Sequence, residues 1–244
     1  MTILLYIGGC SGVAIILIIV AIVFIAARAV MHDVRLSKPE MQVMELKDLH
    51  DEETQILSGL RDTLEPAGMV FSNVLRMVQS DDPPGIIVRH LYCFRDPEGL
   101  IICAIPSLHG EIDGERVDTA KPLEPVLISL YGEEQSVLTT VGGGPDLSPN
   151  PKTTPLWWPG ADFQTSLANH RSWLARRQIT PKSIHGITDV EFMEQKFQHD
   201  IEHGAKSGAI VLRDEGKRFH IGLGLLLQLI FWTLPPGRWL WRNG

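Results

Sequence analysis

The string His199-Asp200-Ile201-Glu202-His203 holds the residue types and spacing in this chain that could do chemistry. Two imidazoles at i and i+4 project from one side of a helix and can share a zinc ion, and a neighbouring glutamate can activate a metal-bound water. On that chemistry His199 and His203 are the candidate ligands and Glu202 the candidate general base. Their position on the helix argues the other way. At about 100° per residue, His199 and His203 lie about 180° and 220° around the helix from Val190, whereas Met193, Phe197 and Ile201 cluster beside Val190. If that apolar set faces the core, the two histidines belong to a solvated polar face.

The pentapeptide resembles the H-x-x-E-H string of the inverted zinc peptidases. That resemblance implies zinc held by His199 and His203, Glu202 as base and a further carboxylate well downstream as a ligand. Only 41 residues follow His203, and their carboxylates, Asp214 and Glu215, are too close to supply that distant ligand. Nothing else in the chain resembles that family, so a zinc-dependent hydrolase stands as an alternative.

The remaining constellations are structural by type. Gly142-Gly143-Gly144 lacks the Gly-Lys-Ser/Thr ending of a phosphate loop, and Pro145 removes a backbone donor where a phosphate would need one. No dinucleotide fingerprint, nucleophile elbow or CxxC occurs. His90, His109, His170 and His185 are scattered, as surface or satisfied core histidines are. Trp157 and Trp158 before Pro159 form a hydrophobic plug or line a possible ligand groove. Cys93 and Cys103 are expected to be small core residues; a chain turning at Asp96–Gly99 sets them near opposite positions of a hairpin, where they could approach each other.

These residues need elements to hold them. Met41–Leu64 reads as a helix, with Ile56, Leu57, Leu60 and Leu64 on one face and Asp51, Glu52 and Glu53 suited to a first turn; Pro66 and Gly68 stop it. Strand-like segments follow at Met69–Val78, Ile86–Phe94, Leu100–Ile105, Val126–Tyr131 and Ser136–Val141, an antiparallel meander of about five strands. Asp96–Gly99 and Gly132–Gln135 are its hairpin turns, and Ser107–Pro125 is a polar loop or ragged edge. A Pro-rich connection reaches Trp157-Trp158-Pro159-Gly160. Two helices close the domain: Ala161–Arg177, and one opening on the capping box of Thr188 and Glu191, whose Val190, Met193, Phe197 and Ile201 should pack on the sheet. The fold class is α+β.

Ile3–Ala27 is an uncharged, mostly aliphatic run of 25 residues. It is long enough to cross a hydrocarbon core of about 30 Å as a helix. It carries no Lys or Arg before its apolar run and is too long for a signal h-region, so an uncleaved anchor is expected, and Ile7-Gly8-Gly9-Cys10 has too few residues before it for a lipoprotein box. Arg28, Arg35 and Lys38 follow directly, which puts the N-terminus outside and the domain in the cytoplasm. Gly8 and Gly12 are spaced as a small-xxx-small pair that could support self-association.

A second apolar stretch, Ile221–Leu234, leads through Pro235-Pro236-Gly237-Arg238 to Trp239-Leu240-Trp241. Its length and terminal indoles favour a helix lying in the interface or dipping into the bilayer; Ile221–Trp241 crossing as a unit is the alternative, so the chain is single-pass or two-pass. The expected organisation is 1–30 transmembrane anchor, 31–68 juxtamembrane linker and helix, 69–215 cytoplasmic α+β domain, and 216–244 apolar membrane-associated segment. The net charge of −7, with no long basic cluster, excludes a nucleic-acid footprint, and the lipid bilayer is the expected partner.

Met69–Met77, Asp96-Pro97-Glu98-Gly99 with Leu100–Ile105, Val126–Thr140, and Pro159-Gly160 running into the helix that ends at Arg176-Arg177 together resemble, loosely, an uncharacterised group of bacterial membrane-anchored proteins. The resemblance covers residues 55 to 240 and implies an architecture, not a reaction. The expected function is a membrane-tethered, non-catalytic module that binds a protein, a lipid or a small apolar ligand, with no cofactor. The alternatives are the zinc hydrolase and a structural subunit of a membrane complex.

Overall fold

The computed structural model describes residues 36–37, 40–81, 85–112, 115–116, 121–142, 150–213 and 218–222. Along the chain the strands are β1 (Leu36–Ser37), β2 (Glu40–Met44), β3 (Val70–Asp81), β4 (Gly85–Arg95), β5 (Ile102–Ile112), β6 (Glu115–Arg116), β7 (Lys121–Pro122), β8 (Val126–Tyr131), β9 (Gln135–Thr140), β10 (Thr153–Trp157), β11 (Ile210–Arg213) and β12 (Arg218–Ile221). The helices are α1 (Asp51–Leu64), α2 (Phe163–Arg176) and α3 (Asp189–Ser207). The α+β class holds. The central sheet runs β10-β9-β8-β5-β4-β3-β2, with the short β6 and β7 pairing β5, and a separate small sheet runs β1-β12-β11.

Alternation along the strands gives the sheet two buried faces. Val74, Tyr92, Phe94, Cys103, Ile105 and Leu127 pack in one cluster with Leu57 and Leu64 of α1 and Phe163 and Leu167 of α2. Their sequence neighbours point the other way: Leu75, Leu91 and Cys93 meet Val190 and Met193, and Ile102, Ala104 and Ile128 meet Phe192 of α3. Side chains on successive strand residues face opposite sides, so this 74/75, 92/93, 103/104 division puts α1 and α2 on one face and α3 on the other.

Several expectations are corrected. Met41–Leu64 is not one helix: Glu40–Met44 is an edge strand antiparallel to β3, Leu46–Asp48 is a short 3₁₀ turn, and α1 begins only at Asp51. The helical period starts at Glu53, and the His50 backbone N–H donates to the Glu53 carboxylate to close the first turn. The sheet is mixed rather than a pure meander, because β10, inside the Pro-rich connection, pairs parallel with β9. As an edge strand it tolerates Pro155, which has no N–H to give a further neighbour. β5 continues to Ile112, through the start of the expected loop, and Arg218–Ile221, expected in the apolar C-terminal segment, is a strand.

The two expected hairpins form, β4 to β5 and β8 to β9. In the first, Cys93 stands opposite Ala104 and Cys103 opposite Phe94. That one-residue offset sends the two thiols to opposite faces, so they do not approach as a pair. Both are free and buried, and burial pushes both thiols well above their ordinary pKa.

Among the described residues no helix is long and apolar enough to cross a membrane. Ile3–Ala27, with Gly8, Cys10 and Gly12, lies outside the described residues, as does the C-terminal apolar run beyond Gly222.

Candidate functional site

The H-x-x-E-H residues do lie on one helix, but they do not converge. His203 is buried, 8% exposed, and its Nε2 is 2.8 Å from a Glu134 carboxylate oxygen in the β8–β9 turn. His199 is half-buried with its ring centroid 6.4 Å from that of His203, and exposed Glu202 accepts a hydrogen bond from Gln198. Among the described residues no group of three His, Cys, Asp or Glu side chains is placed to hold a metal ion.

The expectation that both histidines face solvent fails at His203. The most buried line of α3 includes Asp189, Lys196 and His203, spaced seven apart and therefore stacked on one side of the helix. Each is admitted to the interior by a partner. Asp189 accepts from Ser72 Oγ, Asn73 Nδ2 at 2.8 Å and Arg95 Nε at 2.7 Å. Lys196 Nζ donates to Asp200 at 2.6 Å, and Asn150 Nδ2 donates to the same carboxylate at 3.0 Å. His203 takes Glu134, which also accepts from Lys152 at 2.7 Å. The Lys152 bond first, then that of His203, hold the Glu134 carboxyl down at about 2. Glu134 itself stands in the turn at φ 59, a left-handed conformation uncommon away from glycine. Of the set Val190, Met193, Phe197 and Ile201, the first two pack on the central sheet and the last two on Ile210 of β11.

A second polar cluster lies under α2. His170 is fully buried, with Nε2 2.9 Å from Ser129 Oγ and Nδ1 2.8 Å from Thr139 Oγ1. Ser129 spends its only hydroxyl proton on the Leu100 carbonyl, 3.0 Å away. Its oxygen must therefore accept from His170 Nε2–H, and Nδ1 accepts from Thr139. In this arrangement the serine proton points to a carbonyl and not to the imidazole. Burial holds the His170 imidazole down at about 4. His90 is likewise a core residue, its Nδ1 3.0 Å from a buried Glu53 carboxylate oxygen.

A concave site lies elsewhere among the described residues. A cavity of about 590 Å³ lies between the end of α1, the β4–β5 turn and the C-terminal half of α2. Leu100, Leu174, Ala175, Ile179 and Pro181 supply apolar wall, and Asp96 and Arg171 supply charge. The turn is rigid: Asp96 Oδ1 accepts from the Leu100 and Ile101 backbone N–H groups at 2.7 and 2.8 Å. Gly99 has φ +61, and a Cβ there would come within 2.9 Å of the His185 ring. Asp96 Oδ2 is left facing the Arg171 guanidinium at 4.0 Å, beyond hydrogen-bond reach. Arg171 is half exposed, so its donors stay available to a ligand.

Trp157 and Trp158, half-buried, do not line this cavity; the Trp157 indole N–H donates to the Gly142 carbonyl at 3.1 Å. Sequence reading found the Asp96–Gly99 turn but not its role, and no local signal marks Arg171. Comparisons with protein-family models, curated proteins and solved structures gave no match.

Proposed function

We propose that this chain is a membrane-tethered, cytoplasmic, non-catalytic module that binds a small, largely apolar ligand with one polar head. The observation that carries the reading is the 590 Å³ cavity, which is of the size and mixed lining of small-molecule sites. The ligand's body would cover Leu100, Leu174, Ile179 and Pro181, and an anionic head would take the free donors of Arg171. Asp96, anchored by two backbone N–H groups, fixes the wall the guanidinium leans toward and disfavours a ligand with a second negative charge.

The non-catalytic part of the reading is supported by how the polar clusters are closed. His170, Asp189 and Lys196 are each held by protein partners, and His203 Nε2 is taken by Glu134. The alternative zinc hydrolase would first have to free His203 from Glu134.

Titration of the detergent-solubilised chain with hydrocinnamate, followed by calorimetry, tests the cavity. Saturable binding at one site is expected. Arg171→Ala should weaken it about tenfold, the loss of a charge-assisted hydrogen bond. Ala175→Trp, which fills the cavity from an exposed helix position, should abolish it. Binding that survives Ala175→Trp unchanged would place the ligand elsewhere.

A further inference from the structure

The small sheet fixes where the two apolar runs leave the domain. β1 and β12 are antiparallel, with Leu36 opposite Phe219 and Ser37 opposite Arg218. The start of β1 and the end of β12 therefore lie at the same end of two neighbouring strands, which run about 5 Å apart. That end is held to α3. The Gly222 N–H donates to the Ala209 carbonyl at 2.6 Å, and a Cβ on Gly222 would collide with the Gly208 carbonyl oxygen. Gly208 is the left-handed cap that ends α3.

Linker lengths turn this into an orientation. The C-terminal apolar run continues directly from Gly222, with no spacer. Eight residues, Arg28–Arg35, separate Ala27 from β1, a reach of at most about 28 Å. A domain attached through two roots at one corner, one of them without slack, cannot tumble freely above a bilayer.

We propose that the small sheet is the lipid-facing surface of the domain, with both apolar runs entering one bilayer side by side from it. One further observation fits a lipid surface. Val211 of β11, next to the shared exit, is 42% exposed and, by strand alternation, stands on the face of the small sheet away from Ile210 and α3. Ile210 of this sheet packs with Ile201 and Phe197 of α3, the helix on the face of the central sheet away from α1 and α2, whereas the cavity beside Arg171 is lined from the ends of α1 and α2.

The inference rests on the membrane tether of the proposed function, and the test separates the two. The full chain carrying Cys10→Ser and one reporter cysteine, Val211→Cys on β11 or exposed Ser58→Cys on α1, is labelled with nitrobenzoxadiazole; Cys93 and Cys103 are buried and stay unlabelled. It is reconstituted in phosphatidylcholine–phosphatidylglycerol vesicles holding lipids spin-labelled at the head group. The Val211→Cys probe should be quenched about twofold or more, as expected within the interfacial zone, and the Ser58→Cys probe hardly at all. Equal quenching at both sites, or stronger quenching at Ser58→Cys, overturns the orientation while leaving the tether intact. Failure of the chain to float with the vesicles overturns the tether and the inference with it. Val211 is exposed, so its replacement by cysteine leaves the core intact.

Discussion

Asp189→Ala is expected to destabilise the domain by about 3–5 kcal/mol, the cost of removing one partner of a buried, hydrogen-bonded charge pair. Asp189 is fully buried at the first turn of α3 and is the shared acceptor for Ser72, Asn73 and Arg95. Arg95 holds it from the end of β4 and also donates to the Ile184 and Ile187 carbonyls at 3.1 and 2.7 Å, so it fastens the loop before α3 as well as the helix. Removing the carboxylate leaves the guanidinium with two carbonyls and no counter-charge, and leaves the Ser72 hydroxyl and Asn73 amide without this acceptor. It also takes a negative charge from the positive end of the helix dipole.

Arg95 is 19% exposed at its side chain, so water can reach part of the orphaned charge and the lower end of the range is expected. Equilibrium unfolding of the solubilised chain measures the loss. The double variant Asp189→Ala/Arg95→Leu should be less destabilised than the sum of the two single variants, by about 1–3 kcal/mol of coupling. A loss under about 1 kcal/mol for Asp189→Ala would mean that α3 is held by its apolar contacts alone.

The same cluster shows how far the chain could be read without its fold. Elements whose signals are local were legible. β8 and β9 alternate cleanly around the Gly132 turn, and the Thr188–Glu191 capping box forms as expected, with the Thr188 N–H donating to Glu191 at 2.9 Å and the Glu191 N–H donating to Thr188 Oγ1 at 3.2 Å. β2 was lost because five residues, Glu40–Met44, carry too short a period to stand apart from the helix that follows. β10 was lost because it contains Pro155 and exists only through its parallel partner β9.

The polar stripe of α3 failed for a deeper reason. Asp189, Lys196 and His203 look like solvated positions on any helical projection, and what buries them comes from distant chain. Ser72 is 117 positions from Asp189, and Glu134 is 69 from His203. A carboxylate or imidazole is admitted to a core only by its partner, and sequence periodicity does not contain the partner. The cavity is illegible on the same ground. Gly68, Asp96 and Arg171 belong to three segments that only the tertiary fold brings together.

His170 should make the domain acid-sensitive, losing about 3 kcal/mol of stability as pH falls from about 6.5 to about 4. Its folded pKa is held down at about 4 by burial, with neighbouring Arg171 adding to the effect, against an unfolded value of 6.5. Between those values the unfolded chain binds a proton that the folded chain refuses, so stability rises with pH across the window and is fully present above it. Below pH 4 the folded imidazole protonates as well and the loss levels off.

The hydrogen bonds define why protonation is costly. In the neutral tautomer Nε2–H is donated to Ser129 and Nδ1 accepts from Thr139; a proton on Nδ1 would face a hydroxyl that must turn round to accept it, with no counter-charge at hydrogen-bond distance. Other depressed groups act elsewhere on the pH axis. Glu134, held at about 2 by Lys152 and His203, gives stability that is present above its ordinary value of 4.5 and is lost as pH falls toward 2. Asp162 and Glu191, lowered by their bonds to Thr165 and Thr188, likewise weaken only as pH falls below the ordinary carboxylate range.

The part of the window above about 4.5 thus isolates the histidine from these carboxylates. His170→Gln keeps a side chain that can donate to Ser129 and accept from Thr139 but does not titrate. Its stability at pH 7 should fall by about 1–3 kcal/mol from imperfect packing, and its slope between pH 6.5 and 4 should be flatter than that of the parent by about 1.4 kcal/mol per pH unit. Unfolding curves of the two proteins measured across that range decide the matter, since parallel pH profiles would show that the buried imidazole does not set the acid limit of the fold.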